Sequence, residues 1–274
     1  MTLNSARTGP PIAPLFVPGN RPERFAKAAA SNADAVILDL EDSVDHEDKL
    51  NARQNIVRHG ITDKPVFVRI NSRKSEYWSA DIAAISKATI AGVMISKSEE
   101  AEDITAVHHA LAREFPAIAL VETAIAFANL RSLCAAPGLL CVAFGSLDYA
   151  LDVGCNANSE ALHYARSALV LECRIANLPP PLDGVTPTLN DQEILKVNTD
   201  RARALGFGGS LAIHPAQIAT ILRAFMPSPG EIEWANKVIK ATKASASAVK
   251  LDGMMVDKPV IERAKRILRF RSHY

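Results

Sequence analysis

Eight short apolar runs, separated by segments with helical spacing, constrain the fold of this chain more than any other feature of its sequence. Most follow one another at intervals of roughly 20 to 30 residues, which leaves room for one helix and two loops. The runs cover residues 14–19, 35–40, 65–70, 91–96, 117–122, 139–145, 181–185 and 210–215. Continuous rather than alternating apolar strands are typical of a parallel sheet covered on both faces. Eight such units predict an α/β fold of the TIM (β/α)8 barrel type.

The segments between the runs favour helices. One begins with Pro22 near its start, and the segment 98–114 carries acidic residues in its first turns, as the helix dipole favours. The motif "GFGGS" precedes the eighth run, so it predicts a helix C-cap and a turn rather than a phosphate cradle.

Beyond "MPSPG" the pattern indicates helices only, with a turn at "LDG". We therefore predict a barrel domain over residues 1–228 and a helical extension over 229–274. The extension is either the last barrel helix with additional structure or, as we expect, an arm that packs on a neighbouring subunit. The Ala/Ser-rich "KASASA" is either a hinge or a poorly packed helix end.

Composition narrows the possible partners. Thirty-one Lys and Arg balance thirty Asp and Glu, so no overall charge attracts nucleic acid or an anionic membrane. The four cysteines lack the spacing of a zinc site, which favours reduced core residues. With no stretch that reads as a signal peptide or membrane span, we expect a cytoplasmic protein.

Charged residues follow the predicted strands. In a TIM barrel the carboxyl ends of all strands form one mouth, where the reactive groups gather. In strand order the candidates are Arg21, Glu41 with Asp42, Arg69, Lys97, Glu122, Asp148, Asp183 and His214.

Glu122 and Asp148 are the predicted metal ligands. Each ends a run too apolar to lie on the surface, and neighbouring strands bring the two together. Isolated carboxylates there need a cation, and Mg²⁺ is typically held by one or two carboxylates with water or substrate at its other positions. Glu41 and Asp42 are predicted to orient the metal waters from outside, although Asp42 equally fits a helix cap.

Two arginines complement these carboxylates. Arg21, in "VPGNRPER", and Arg69, in "FVRIN", are predicted to bind a substrate carboxylate or to stabilise a developing oxyanion. A metal together with arginines indicates an anionic, oxygen-rich substrate.

The sequence resembles the citrate lyase β-subunit family, within the wider malyl-CoA lyase and HpcH/HpaI aldolase group. The motifs that match are, in order, "LFVPGNRPERFAKA", "DAVILDLEDSV", "VFVRIN", "VETA", "FGSLDYALDVG", "LDGVTPTLND", "GSLAIHPAQI" and "DGMMVDKPVIERAKRIL". The resemblance implies a TIM barrel that binds Mg²⁺ through Glu122 and Asp148, with Arg69 and Glu122 contacting substrate. It also implies a homotrimer or hexamer in which Asp257 reaches a neighbouring active site.

The activity implied is cleavage of a 3-hydroxyacyl-CoA, such as citramalyl-, citryl- or malyl-CoA, to acetyl-CoA and a 2-oxo acid. Asp257 would then serve as the general acid, although alone it fits a helix N-cap. Four departures bear on the substrate: "ETAIA" stands where relatives often have "ETARG", "GSLDY" where they have "GxEDL", Ser96 precedes Lys97 where they have Pro, and Ser210 replaces a lysine. The alternatives are a metal-dependent aldolase acting on free 2-oxo acids and a non-catalytic homologue.

Overall fold

The protein divides into two compact units, which we describe separately. The structure, a computed structural model, describes residues 9–112, 115–157, 160–189, 191–244, 249–251 and 254–271. The larger unit extends to Leu222, and the smaller unit contains residues 223 onward.

The larger unit is an α/β fold built on one eight-stranded parallel sheet. Its strands follow one another in chain order: β1 (Leu15–Pro18), β2 (Val36–Asp39), β3 (Val66–Ile70), β4 (Gly92–Ile95), β5 (Ala117–Val121), β6 (Leu139–Phe144), β7 (Leu182–Asp183) and β8 (Gly209–Ser210). Beyond β8, Ala212 forms a parallel bridge with Leu15 of β1, and its carbonyl oxygen accepts from the Phe16 N–H at 2.8 Å. The sheet therefore curls until its first strand lies beside the chain that follows its last, as a (β/α)8 barrel requires.

The last two strands are shorter than predicted. The run 181–185 contributes only β7, and the run 210–215 contributes the end of β8 and the bridge at Ala212. The eighth strand ends earlier than predicted because Pro215, which has no N–H to donate, begins a helix, and the Gln217 side chain accepts from the Ile213 N–H at 3.0 Å in place of a strand partner.

Helices occupy the intervals between strands, as predicted. They are α1 (Phe25–Ala29), α2 (Lys49–Val57), α3 (Trp78–Ile85), α4 (Ala101–Leu111), α5 (Ala124–Ala128), α6 (Leu130–Cys134), α7 (Ser146–Val153), α8 (Ala161–Ile175), α9 (Gln192–Leu205) and α10 (Pro215–Phe225). A capping box between Glu100 and Asp103 begins α4, within the acidic segment. Gly206 ends α9 at φ +103°, which confirms the C-cap predicted for "GFGGS".

The interior of the sheet is filled by apolar side chains. The buried cluster consists of Ala35, Ile37, Phe67, Met94, Ile118, Leu120, Cys141, Ala143, Leu182 and Leu211. Full burial of each large aliphatic or aromatic side chain stabilises the fold by about 1.5 to 3 kcal/mol. Cys134, Cys141 and Cys173 are free and buried, as predicted, whereas Cys155 is only partly buried.

The smaller unit contains the helices α11 (Pro229–Ala244) and α12 (Lys258–Arg271) and an antiparallel pair, β9 (Val249–Leu251) and β10 (Met254–Val256). Its core is formed by Ala235, Val238, Val256 and Ala264. The prediction of helices alone is therefore wrong for this pair of strands, because the β-branched valines suit a strand and the run was too short to show a period. The "LDG" turn and "KASASA" fall largely outside the described residues.

None of the helices in the described part of the chain has the length and hydropathy needed to cross a bilayer.

Candidate active site

A small cavity of about 60 Å³ opens at the carboxyl ends of the strands in the larger unit. Its charged lining residues are Arg69 on β3, Glu122 directly after β5 and Asp148 in the first turn of α7. The sheet register explains this convergence, because parallel neighbouring strands all deliver their last residues to the same rim.

The Glu122 carboxylate is buried, and only one of its two oxygens has a hydrogen-bond partner. Its Oε1 accepts from the backbone N–H of Lys97 at 2.7 Å, whereas its Oε2 is enclosed without a hydrogen-bond partner. Burial, together with the negative charges of Glu41 and Asp148, raises the pKa of Glu122 to about 8, against the opposing effect of Lys97. An orphaned buried carboxylate oxygen is costly unless a cation neutralises it.

Gly145 makes room for this carboxylate. It follows β6, and a Cβ added there would overlap both the Glu122 Oε2 and the Glu122 Cβ. Only glycine allows the turn into α7 to pass so close to Glu122.

The geometry fits a divalent cation. Glu122 and Asp148 line one cavity, and the unpaired Oε2 of Glu122 needs a positive partner. Within the described residues there is no group of three or more His, Cys, Asp or Glu that could hold a metal ion. Two carboxylates with open positions suit Mg²⁺, which keeps several water or substrate oxygens.

Arg69 is fixed by a bidentate ion pair that involves a residue outside the predicted site. Its Nε and one terminal nitrogen each donate to Asp39 of β2 at 2.6 Å. The guanidinium also lies 4.8 Å from the Phe16 ring centroid. Although burial raises the pKa of Asp39, the Arg69 guanidinium holds that pKa below its usual range. The signal for Asp39 in the sequence is a single carboxylate within the apolar run 35–40.

Glu41, Asp42 and Lys97 surround this pair. Glu41 Oε2 lies 3.1 Å from the other terminal nitrogen of Arg69, and Glu41 Oε1 accepts from Lys97 Nζ at 2.6 Å. Partial burial, together with the neighbouring charge of Glu41, raises the pKa of Asp42 to about 6. Among the hydrogen bonds of the described residues, none shows the Asp42 side chain capping a helix. Its Oδ2 lies 3.8 Å from a terminal nitrogen of Arg69.

Lys97 has a strained backbone. Its φ of +47° lies in the left-handed region, where a residue other than glycine is uncommon. This conformation lets one residue donate its backbone N–H to Glu122 and its side chain to Glu41. The order of strand ends pointed to Lys97, but the sequence did not assign it a role.

A buried lysine supports the end of β2. Lys49 Nζ donates to the carbonyl oxygens of Leu40 and Glu41 at 2.7 and 2.9 Å and to Asn71 Oδ1 at 3.3 Å. These contacts fix the backbone that carries Glu41.

The formal charges around the cavity sum to a net negative charge. Five carboxylates, Asp39, Glu41, Asp42, Glu122 and Asp148, face three cations, Lys49, Arg69 and Lys97. When all are ionised the sum is minus five plus three, or minus two. One divalent cation balances it.

Two predicted site residues lie elsewhere. The side chain of Arg21 is 49% exposed and its Nε pairs with Glu23 at 2.7 Å, so it does not line the cavity. Asp257 belongs to the smaller unit, where its Oδ1 accepts from the Val260 N–H at 3.2 Å as the N-cap of α12.

Two further strand-end candidates have structural partners. Asp183 forms a buried ion pair with Arg166 of α8 at 3.0 Å. The His214 ring accepts from the Ala216 N–H at 3.2 Å at the start of α10.

Fold and site together define an α/β protein with eight parallel strands and a carboxylate-lined cavity at their carboxyl ends. The chain belongs to the HpcH/HpaI aldolase/citrate lyase family, whose family model matches residues 13–215. The resemblance inferred from the motifs is therefore confirmed.

Curated relatives match over nearly the whole chain. A citrate lyase subunit beta-like protein of Deinococcus radiodurans is 33% identical, covering 93% of this chain and 95% of the relative. A (3S)-malyl-CoA thioesterase of Cereibacter sphaeroides is 32% identical, with 93% and 92% covered.

Solved structures of a Mycobacterium tuberculosis relative share the fold. CitE in complex with magnesium, acetoacetate and coenzyme A superimposes with a TM-score of 0.86 at 31% identity, covering 95% of this chain and 98% of CitE. CitE has also been solved with magnesium and pyruvate (TM-score 0.78, 30% identity, 98% and 100% covered). A citrate lyase beta subunit from the same organism holds oxaloacetate and magnesium (TM-score 0.72, 32% identity, 83% and 100% covered).

Proposed function

We propose that this protein is a Mg²⁺-dependent carbon-carbon lyase that cleaves a 3-hydroxyacyl-CoA to acetyl-CoA and a 2-oxo acid. The observation that carries the proposal is the buried, unpaired Oε2 of Glu122 in a cavity that Asp148 also lines. Family membership and a neighbour that holds magnesium and coenzyme A support it.

Glu122 and Asp148 would hold the metal. When bound there, Mg²⁺ supplies a Lewis acid that favours loss of the proton from the substrate hydroxyl. Glu41 and Asp42, which lie beside Arg69, would accept hydrogen bonds from the waters of the metal.

Arg69 would bind the substrate carboxylate. It is already oriented by Asp39, so little side-chain entropy is lost when substrate binds. A fixed guanidinium also offsets the negative charge that develops as the carbon-carbon bond breaks. Arg21 would meet the substrate only from the exposed rim, because its present partner is Glu23.

Cleavage moves one proton out and one proton in. The hydroxyl proton passes to water, the O–H electron pair forms the carbonyl group of the 2-oxo acid, and the electron pair of the broken carbon-carbon bond passes to the thioester enolate. That enolate takes up a proton to become acetyl-CoA. We propose Asp257 as the proton donor, reaching the site from a neighbouring subunit of a homotrimer or hexamer through the extension 229–274.

The test is an assay of purified protein with citramalyl-, malyl- and citryl-CoA, with and without Mg²⁺. We expect release of a 2-oxo acid that depends on Mg²⁺ and falls by at least about 1,000-fold in Glu122→Gln and Asp148→Asn. Asp200→Asn is the control, since the Asp200 side chain is 50% exposed on α9, where it pairs with Lys196. Undiminished activity in both cavity variants would refute the assignment.

Thioester hydrolysis is a second candidate, because the relative from Cereibacter sphaeroides is a thioesterase. Hydrolysis releases free thiol and a hydroxy acid, whereas the lyase reaction releases a 2-oxo acid and keeps the thioester. Turnover of the free hydroxy acid instead would indicate the aldolase alternative. Failure to bind Mg²⁺ or to cleave any thioester would indicate a non-catalytic homologue.

A further inference from the structure

We propose that this site selects a 3-hydroxyacyl thioester with one free carboxylate and an apolar substituent on the hydroxyl carbon, and that Leu147 determines this specificity. The 2-oxo acid released is then a monocarboxylate of the pyruvate type rather than a dicarboxylate such as oxaloacetate. This inference rests on the proposed lyase function and names its substrate class.

The cavity has one charged side and one apolar side. Arg69, Glu122 and Asp148 form the charged side. The apolar side chains that line the rest are Phe16, Leu120, Phe144, Leu147, Val185 and Leu211. A substituent that points away from the metal and Arg69 therefore meets hydrocarbon, which favours a methyl group over a carboxylate.

Each cation near the cavity is already engaged with protein oxygens. Arg69 is bidentate to Asp39, Lys97 pairs with Glu41, and Lys49 is bound to two backbone carbonyls and Asn71. Among the described residues lining the cavity, Arg69 is the single cationic side chain. One substrate carboxylate can share Arg69 and the metal, but among the described residues that line the cavity there is no further cationic side chain for a second carboxylate.

The formal charges also favour a substrate with one free carboxylate. The five carboxylates and three cations leave minus two, which one divalent cation brings to zero. A substrate with one carboxylate takes the site to minus one. A second carboxylate would add another negative charge inside a low-dielectric cavity, where repulsion is strong.

Leu147 is the residue at which this preference can be changed. It lines the cavity beside Asp148 and is 41% exposed, so a longer, charged side chain fits there with its end near solvent. Leu151 is the same residue type one turn further along α7, is 82% exposed and does not line the cavity. The pair Leu147→Arg and Leu151→Arg thus separates a cation in the cavity from a cation on the helix surface.

The experiment compares three thioesters that differ only at the hydroxyl carbon, which carries hydrogen, methyl or carboxymethyl in malyl-, citramalyl- and citryl-CoA. A well-packed methyl group is worth about 10- to 200-fold in kcat/KM. We expect citramalyl-CoA to exceed malyl-CoA by about 10-fold and citryl-CoA by at least about 100-fold. Leu147→Arg should raise the ratio of citryl- to citramalyl-CoA activity by at least about 10-fold, and Leu151→Arg should leave that ratio within about 2-fold of the parent.

A binding measurement makes the test independent of turnover. With saturating Mg²⁺, calorimetry should show pyruvate binding at least about 10-fold more tightly than freshly prepared oxaloacetate, with the difference reduced in Leu147→Arg. Cleavage of citryl-CoA as efficient as that of citramalyl-CoA, or equal binding of the two oxo acids, overturns the specificity and leaves the lyase function intact. Absence of all thioester cleavage overturns the lyase function, and the oxo acid binding then decides the specificity by itself.

Discussion

The raised pKa of Glu122 makes metal binding and proton release inseparable. The ordinary pKa of a glutamate is 4.5, and that of Glu122 is about 8 because the carboxylate is buried and faces Glu41 and Asp148. At pH 7 a group with a pKa of about 8 is roughly 90% protonated, so Mg²⁺ binding must expel about 0.9 proton per site. The apparent affinity should rise about tenfold from pH 6 to pH 7 and level off above pH 8.

Isothermal titration calorimetry in buffers of different ionisation enthalpy measures the released protons directly. Glu122→Gln removes the titrating carboxyl at nearly constant shape and should bind Mg²⁺ weakly without proton release. Asp42→Asn tests the neighbouring carboxyl, whose pKa of about 6 affects the titration only at the acid end. Mg²⁺ binding that releases no proton and has the same affinity at pH 6 and pH 8 would refute the reasoning.

Three further predictions follow from the same contacts. Without Mg²⁺ the folded protein holds a proton on Glu122 that the unfolded chain has lost, so the free energy of unfolding should fall as the pH rises from 4.5 to about 8. Mg²⁺ should reduce that fall. A free energy of unfolding, measured by urea denaturation, that does not change with pH would contradict this. Asp39→Asn should lower the free energy of unfolding by about 3 kcal/mol because it breaks the bidentate ion pair of a buried arginine and leaves Glu41 as the nearest carboxylate to Arg69, while the exposed control Arg21→Gln should change it by less than about 1 kcal/mol. Gly145→Ala should reduce Mg²⁺ affinity at least about 10-fold by displacing the Glu122 carboxylate, and unchanged affinity in calorimetry would contradict the close packing.

The fold was largely predictable because its strands are buried on both sides and read as continuous apolar runs. Seven of the eight runs enclose the observed strands fully, from Leu15–Pro18 to Leu182–Asp183, and β8 begins one residue before its run. The last two were predicted too long because β7 and β8 pair with their neighbours over only one or two residues, and Pro215 and the Gln217 side chain end the strand pairing after β8. Local sequence carries little information about such tertiary limits.

The site was predictable where a charge ends an apolar run and unpredictable where partners are distant in sequence. Glu122 and Asp148 line one cavity, as the strand order indicated. The pairing of Arg69 with Asp39, 30 residues earlier, depends on the register of β2 and β3 and appears only in three dimensions. Arg21 was expected at the mouth of the barrel because it follows β1, but its guanidinium instead donates to Glu23, two residues later in the chain.

The most direct test of the account is the position of a bound metal ion. Crystals soaked with Mn²⁺, which suits the same oxygen ligands as Mg²⁺, should show one anomalous peak roughly 2 Å from Glu122 Oε2 and from an Asp148 oxygen. Titration with Mg²⁺ should remove that peak. A strong peak coordinated by other side chains, with none between Glu122 and Asp148, would contradict the account.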